Sequence, residues 1–170
     1  MRVVGLLASP RGSGATAGAL AAVLDGCAAQ GASTTVLDLA MTDGTVLAEN
    51  VAAADAVVFA SPTYRSTYTS LMGGALERLG RGLMEDEPAP LLGKAGAVLM
   101  TGAAPQHLLA TERLQQVLSS FFALTLVSPP LYVTQSDPAA ERCARHGRAL
   151  VELATACCGA QHLGQLPPLV

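Results

Sequence analysis

The chain has 170 residues, which is long enough to bury the core of one domain, and its composition excludes several classes of protein. Apolar residues make up 51% of it, yet no apolar stretch reaches the roughly 18 residues that a membrane-spanning helix needs. The net charge is −3, and one lysine (Lys94) with nine scattered arginines lacks the clustered positive charge of a nucleic-acid-binding surface. The N-terminus shows no signal peptide, so we predict a cytoplasmic protein that binds neither membrane nor nucleic acid.

The first elements of the chain are predicted to be a buried strand, a loop of small residues and a helix. Residues 3–8 form a near-continuous apolar run, which is typical of a strand buried on both faces of a parallel sheet. Residues 9–16 follow as Ser-Pro-Arg-Gly-Ser-Gly-Ala-Thr. Apolar residues at helical spacing then predict a helix over 16–30 that ends at Gly31.

The loop over residues 9–16 offers the groups that bind an anion such as phosphate. The first N–H groups of a helix have no partner within the helix, and the helix dipole adds positive potential there. Further donors would be the hydroxyl or guanidinium groups of Ser9, Arg11, Ser13 and Thr16. The loop matches neither the Walker motif nor the Gly-x-Gly-x-x-Gly dinucleotide motif. An ordinary Ser/Gly turn with Thr16 as the helix cap is the alternative.

Along the rest of the chain, strands and helices are predicted to alternate. Strands are expected over residues 34–39, 56–60, 94–101 and 124–127, the last continuing as 132–134 beyond two prolines. Helices are expected over 46–54, over 72–83, around 114–121, and after Asp137-Pro138, where Asp137 would cap the last helix. Residues 85–90 are expected to form a solvated connector. The helix over 72–83 contains four glycines, which indicates close packing against a neighbouring helix or a frayed end.

This alternation predicts an α/β fold with helices on both faces of a parallel sheet. Five strands fit a flavodoxin-like, doubly wound sandwich of order 2-1-3-4-5, in which strands one and three are neighbours and ligands bind beyond their carboxyl ends. The loop after the third strand (61–70) and the loop after the fourth (101–107) therefore join the first loop as candidates for a site. We assign residues 1–160 to this domain and residues 161–170 to a C-terminal tail.

The four cysteines form neither a Cys-x-x-Cys pair nor a zinc-binding pattern, so we predict no metal site. Cys27 and Cys143 fall on apolar helix faces and are expected to be buried as small hydrophobic side chains. Cys157 and Cys158 are expected to be partly exposed near the C-terminus.

The three loops together resemble those of the NAD(P)H-dependent FMN reductases of flavodoxin-like fold, and most closely the branch that includes the FMN reductases of alkanesulfonate-assimilating systems. The stretch 8–11, Ala-Ser-Pro-Arg, is similar to the family's Gly-Ser-x-Arg phosphate loop. Residues 61–65 with 68–70, and residues 101–110, carry the rest of the resemblance, which extends in order and spacing over residues 2–136. Each loop is a weak signal singly, and the three together are more specific.

The resemblance implies an enzyme that binds FMN and reduces it by hydride transfer from NADPH or NADH. The FMN phosphate would be held by Ser9, Arg11, Gly14, Ala15 and Thr16. The isoalloxazine ring would be wrapped by Pro62, Thr63, Tyr64 and Arg65, and would meet Thr101, Gly102 and Ala103 at its pyrimidine edge. The residues agree, since a planar ring needs a flat slot with backbone donors and an aromatic such as Tyr64 can cover one edge; a surface aromatic is the alternative.

No acid–base residue is required for hydride transfer, so none is assigned as catalytic. His107, near the predicted ring edge, is a titratable candidate for contact with the flavin, and a capping or solvent-facing role is its alternative.

The sequence also departs from the family's pattern. Ala8 replaces the glycine that opens the phosphate loop, and Gly73 or Gly74 replaces a basic residue in the helix after the second loop. The sulfonate reductases carry an extra tyrosine, associated with weak flavin retention, that is absent from residues 110–114. We therefore predict that FMN is held as a prosthetic group.

The electron acceptor stays open between a flavin, a quinone and another small molecule, and the reduced flavin could supply a monooxygenase. The alternative function is a flavodoxin-like electron carrier or a non-catalytic flavin-binding partner subunit. Flavodoxins tend to be strongly acidic with a Thr-rich first loop, whereas this chain has a mild net charge and Arg11. The glycine-rich helix, the apolar tail and the association of family members predict a homodimer or homotetramer.

Overall fold

The computed structural model describes residues 1–84, 87–134, 137, 139–160 and 162–168. The strands in these ranges are β1 (Arg2–Leu7), β2 (Ser33–Asp38), β3 (Ala56–Pro62), β4 (Ala95–Gly102), β5 (Thr125–Leu126) and β6 (Leu131–Thr134). The helices are α1 (Ala15–Ala28), α2 (Gly44–Ala52), α3 (Ser70–Glu77), α4 (Ala110–Phe121) and α5 (Ala140–Cys158), with short 3₁₀ helices at Pro105–Leu109 and Leu163–Gln165.

The strands form one parallel sheet of order β2-β1-β3-β4-β5, as the sequence predicted. The predicted fifth strand is divided in two, and both segments pair with β4. β5 lies opposite Ala95 and Gly96, and β6 lies opposite the stretch from Leu99 to Gly102. Pro129 and Pro130 lie between the two segments, and a proline cannot donate a backbone hydrogen bond to a neighbouring strand. The division adds a sixth strand without changing the order.

The sheet is covered by helices on both faces, and each face has its own apolar core. α1 and α5 pack on one face with inward side chains such as Val3 and Leu7 of β1. α2, α3 and α4 pack on the other face, where Val4 and Leu6 point. Because successive side chains of a strand point to opposite faces, a strand between two helical layers must be apolar throughout. This explains the uninterrupted apolar runs in the sequence.

The closest helix pairing joins α1 to α5 through two glycines. A Cβ on Gly147 would collide with the carbonyl oxygen of Val23 and lie 2.9 Å from the nitrogen of Cys27. A Cβ on Gly26 would likewise collide with the carbonyl oxygen of Ala144. The Cys27 thiol donates to the Gly147 carbonyl at 3.3 Å across this contact. At the two glycines the backbones of the helices therefore touch directly.

Two predicted helices differ from those in the structure. The helix predicted over 72–83 begins at Ser70 and ends at Glu77. The apolar spacing predicts a longer helix that includes Leu79. Leu79 is indeed buried, but it lies beyond the end of the helix. Gly80 and Gly82 also lie beyond it, so they are not helical. Residues 85 and 86 of the predicted connector fall outside the described residues.

Asp137 does not cap the last helix as predicted. The N-cap of α5 is Ala139, which provides no side-chain hydrogen bond, and Pro138 falls outside the described residues. The Asp137 carboxylate forms an ion pair with Arg142 at 2.7 Å instead. In the part of the chain that the structure describes, no helix is long and apolar enough to cross a membrane.

Three of the four cysteines are buried, and all four are free thiols. Cys27 and Cys143 are buried as predicted, whereas Cys157 is buried and only Cys158 of the predicted exposed pair is accessible. Burial raises the pKa of Cys27 to about 11 and also raises the pKa of Cys143. Since the thiolate is the reactive form, both buried thiols should be inert in the folded protein.

We expect iodoacetamide at about pH 8 to modify the folded protein at Cys158 before the other cysteines, because only this thiol is exposed. After unfolding in guanidinium chloride, all four cysteines should react. Peptide mass spectrometry after a time course locates the modified residues. Alkylation of Cys27 in the folded protein as fast as Cys158 would contradict the close α1–α5 contact.

Candidate functional site

The loops that follow β1, β3 and β4 meet at one edge of the sheet and enclose a cleft of about 420 Å³. Carboxyl ends of neighbouring parallel strands lie at the same edge, which is where ligands bind in sheets of this topology. The cleft is lined by Ser9, Arg11, Ser13, Gly14, Ala15, Thr16, Pro62, Thr63, Tyr64, Thr101, Gly102 and Ala103. Every predicted site residue except Arg65 is in this set. Ser13 joins them.

At one end of the cleft, helix α1 begins without a side-chain cap. Its N-cap is Gly14, whose φ of 99° lies in the region that favours glycine, and no side chain bonds to the first helical N–H groups. The first turn also contains no acidic residue. The first N–H groups of a helix have no partner within it. This end of the cleft therefore presents free donors and the positive end of the helix dipole.

Thr16 does not cap α1, so the alternative of an ordinary turn capped by Thr16 is wrong. Its hydroxyl is buried and hydrogen-bonds to the hydroxyl of Thr101 at 2.7 Å. One hydroxyl of such a pair donates and the other accepts, which leaves one O–H free to donate elsewhere. The pair links the start of α1 to the end of β4.

Arg11 is the arginine in the cleft wall, and its side chain lies at the exposed rim. Among the described residues, the ion pairs are Arg142–Asp137 and Arg148–Glu141, so neither involves Arg11. Asp38, at the end of β2, lies behind the loop, where a Cβ on Gly12 would approach its Oδ2 to 2.7 Å. Arg11 therefore gives the helix end of the cleft a positive charge on the side that faces solvent.

The loop after β3 is a tight hairpin. Tyr64 and Thr67 exchange both backbone hydrogen bonds, at 2.9 and 3.1 Å, and Arg65 and Ser66 between them have φ values of 51° and 61°. Two positive φ values at the centre of a two-residue turn are typical of the type I′ hairpin. Arg65 lies at the tip of this hairpin, beyond the wall of the cleft that the described residues form. Tyr64 lies at its base with half of its side chain exposed.

The loop after β3 is tied to both neighbouring strands. The Thr63 N–H donates to the Thr101 carbonyl at 2.7 Å, which continues the pairing of β3 with β4. The Thr69 hydroxyl donates to the Ala8 carbonyl at 2.9 Å, and Thr69 is the N-cap of α3. A threonine directly before an apolar helical pattern is the sequence signal that could have predicted this cap. These bonds hold the three loops of the cleft against one another.

Tyr132 is a residue of the site region that sequence reasoning missed. Its hydroxyl donates to the Ala104 carbonyl at 3.0 Å and lies directly behind Gly102. In sequence, Tyr132 is simply an aromatic residue of a strand. Only the pairing of β6 with β4, in which Tyr132 lies opposite Met100, brings it to the third loop.

Comparison with known proteins agrees with the fold and adds the family. The model of a family described as NADPH-dependent FMN reductase matches residues 1–137. An NADH:FMN oxidoreductase in its apo form is similar with a TM-score of 0.73 and 19% identity, over 99% of this chain and 94% of that chain. A flavone reductase is similar with a TM-score of 0.79 and 18% identity, over 95% of this chain and 65% of that chain.

A flavodoxin from the domain Archaea is also similar, with a TM-score of 0.61 and 17% identity, over 91% of this chain and 99% of that chain. At these identities the solved structures show the fold alone. No curated protein sequence matches the chain. The family match over residues 1–137, most of the chain, therefore identifies the protein as a member of the NADPH-dependent FMN reductase family, a flavin-dependent oxidoreductase with FMN as its cofactor and NAD(P)H as its electron donor.

Proposed function

We propose that the cleft at the ends of β1, β3 and β4 is the FMN site, with the phosphate at the start of α1 and the ring between the second and third loops. The observation that carries this proposal is a cleft with an uncapped helix end at one side and small residues at the other. Its volume of about 420 Å³ falls in the range of cofactor sites.

The phosphate end fits a dianion. The free N–H groups at the start of α1 point to it, the first turn has no carboxylate, and Arg11 adds a charge that is always present. The Ser9 hydroxyl adds a further donor, and the Ser13 hydroxyl would add another on turning from the Arg11 carbonyl, to which it donates at 3.3 Å. These groups would hold the phosphate without any rearrangement of the helix.

The ring end fits a flat, polar-edged group. Gly102 and Ala103 leave the backbone of the third loop open to a ligand, and Pro62 gives the opposite wall an apolar surface. The Thr63 hydroxyl oxygen is buried, and in the described part of the chain no group forms a hydrogen bond of good geometry with it, although the Tyr132 hydroxyl lies beside it. A buried polar atom of this kind favours a bound partner, and a ring edge with nitrogen and oxygen atoms would supply one.

The bound cofactor would supply the redox chemistry, taking two electrons as hydride from a nicotinamide and giving them to the acceptor. The chain's own residues would hold two flat rings in contact, and proximity alone can supply much of the rate. The half-exposed Tyr64 leaves one side of the cleft open for a nicotinamide or an acceptor. The donor is NADPH or NADH, and the acceptor is a flavin, a quinone or another small molecule, with supply to a monooxygenase as one use.

We also propose that FMN is a prosthetic group and that the chain forms at least a homodimer. The absence of a tyrosine from residues 110–114 supports the first point. The groove between α3 and α4, which contains the exposed edge of Phe121, supports the second. Light scattering measures the mass in solution.

We expect the purified protein to retain FMN through dialysis and to bleach near 450 nm when NADPH or NADH is added without oxygen. The visible spectrum before and after each step measures both results. Retained flavin that stays oxidised with both nicotinamides would instead support the electron carrier or partner subunit. Protein that binds no FMN even in excess would refute the proposed site.

A further inference from the structure

We infer that Tyr132 is a positioning residue for the flavin ring, acting through the third loop although it lies outside the cleft wall. The inference rests on the proposed FMN site and deepens it. It follows from the position of the phenol hydroxyl, which contacts the second and third of the three loops that form the cleft.

The phenol of Tyr132 supports the third loop from behind. A Cβ on Gly102 would collide with the Tyr132 hydroxyl oxygen and lie 2.8 Å from the ring carbon that bears it. The same hydroxyl donates to the carbonyl of Ala104, two residues further on. Gly102 and Ala103 line the cleft. The phenol of Tyr132 therefore packs behind the part of the loop that would contact a ligand and is hydrogen-bonded to the loop at Ala104.

The hydroxyl also lies beside the second loop. The Thr63 side chain is its polar neighbour, and the Thr63 N–H donates a hydrogen bond to the Thr101 carbonyl at 2.7 Å. Burial raises the pKa of Tyr132, and the nearby Thr63 hydroxyl partly offsets the rise. The phenol therefore stays protonated and keeps its donor at neutral pH.

This arrangement determines where the backbone of residues 102–104 lies relative to a flat ligand. Without the hydroxyl, the Ala104 carbonyl loses its partly buried donor and the loop can move toward the vacated space. A shift of the loop changes contacts with the ring and leaves the start of α1 in place. The loss should therefore be the same for FMN and for riboflavin, which has the ring without the phosphate.

The test is a comparison of Tyr132→Phe, Gly102→Ala and the double variant with the unmodified protein. Kd values of the flavin-free proteins for FMN and riboflavin come from quenching of flavin fluorescence. We expect Tyr132→Phe to weaken the binding of both ligands by about tenfold, as for loss of one partly buried hydrogen bond. Gly102→Ala should weaken both by more, because its methyl group meets the phenol hydroxyl. The double variant should lose less affinity than the sum of the two single losses, because the hydroxyl oxygen nearest to the added methyl group is gone, although the ring carbon 2.8 Å from that group remains.

Thr155→Val is the matched control, because it also removes a hydroxyl that donates to a backbone carbonyl, at 2.8 Å within α5. Its Kd values should stay within about twofold of the unmodified protein. A Tyr132→Phe protein with unchanged Kd values, or losses that simply add in the double variant, would overturn the inference while leaving the FMN site intact. Loss of affinity together with a large drop in Tm would show a merely structural role and also overturn it. An unmodified protein that binds no flavin would refute the FMN site and this inference with it.

Discussion

We expect Gly147→Ala to lower the free energy of unfolding by about 3 kcal/mol, because overpacking against a rigid backbone is destabilising. The added methyl group would collide with the Val23 carbonyl oxygen and press on the backbone nitrogen of Cys27. Neither atom can move without shifting α1 relative to α5. In an open helix the same substitution would instead be stabilising by up to about 1 kcal/mol, since alanine has the higher helix propensity. The close contact therefore reverses the sign of the effect.

Thermal unfolding measures this change, and about 3 kcal/mol corresponds to a fall in Tm of roughly 6 to 12 °C for a chain of this size. Gly18→Ala is the matched control, because Gly18 lies in α1 and a Cβ added there would meet no neighbouring element within 4 Å. We expect that control to keep or slightly raise the Tm. If Gly147→Ala were as stable as Gly18→Ala, the two helices could not be in backbone contact.

We expect Ser13→Asp to weaken FMN binding by about 30-fold, through repulsion between the new carboxylate and the phosphate. Ser13 lines the proposed phosphate end and is exposed, so the substitution needs no repacking. A charge pair a few ångströms apart, between the dielectric limits of protein and water, is worth about 2 kcal/mol. That energy corresponds to the expected change in Kd. Part of it should disappear at high salt, because the site is open to solvent.

Three comparisons separate this repulsion from a general defect. Ser13→Asn has nearly the shape of the aspartate variant without its charge, and its amide N–H can donate in place of the serine hydroxyl, so its Kd for FMN should stay close to that of the unmodified protein. Riboflavin has no phosphate, so Ser13→Asp should leave its Kd unchanged. The apo variant should be as stable as the unmodified protein or slightly more so, because a negative charge near the start of α1 interacts favourably with the helix dipole. Equal losses for FMN and riboflavin would place the phosphate elsewhere.

The two sets of flavin measurements test different parts of the site. A charge at Ser13 should distinguish FMN from riboflavin, whereas loss of the Tyr132 hydroxyl should affect both equally. The Thr16–Thr101 hydrogen bond joins the two ends, since it links the start of α1 to the end of β4. If both predictions hold, the phosphate contacts belong to the first loop and the ring contacts to the third.

Much of the fold could be predicted from local patterns. The apolar runs of β1, β3 and β4 indicate strands buried on both faces, and the alternation of such runs with amphipathic helices leads to a doubly wound parallel sheet. The topology then brings the loops after β1, β3 and β4 to one edge, and the structure has them there. Buried Cys27 and Cys143 follow from helical periodicity in the same way.

Other features depend on where the chain meets itself. The apolar period of α3 continues to Leu79, yet the helix ends at Glu77. The period predicted too long a helix because Leu79 is buried although it lies outside the helix. The Thr16 hydroxyl, which would accept from a backbone N–H if Thr16 capped α1, instead hydrogen-bonds to the hydroxyl of Thr101, 85 residues away. No local pattern contains the identity of a partner so distant in sequence.

The sequence by itself determined the strand order, the helical layers and the three loops that meet, because burial of apolar faces and right-handed connections leave few arrangements open. Only the tertiary structure decided the backbone contact at Gly147, the uncapped start of α1 and the support of Gly102 by Tyr132. Each of these depends on distances of a few ångströms between elements that are remote in the chain. Periodicity and propensity describe the neighbours of a residue along the chain, whereas the geometry of a site depends on its neighbours in space.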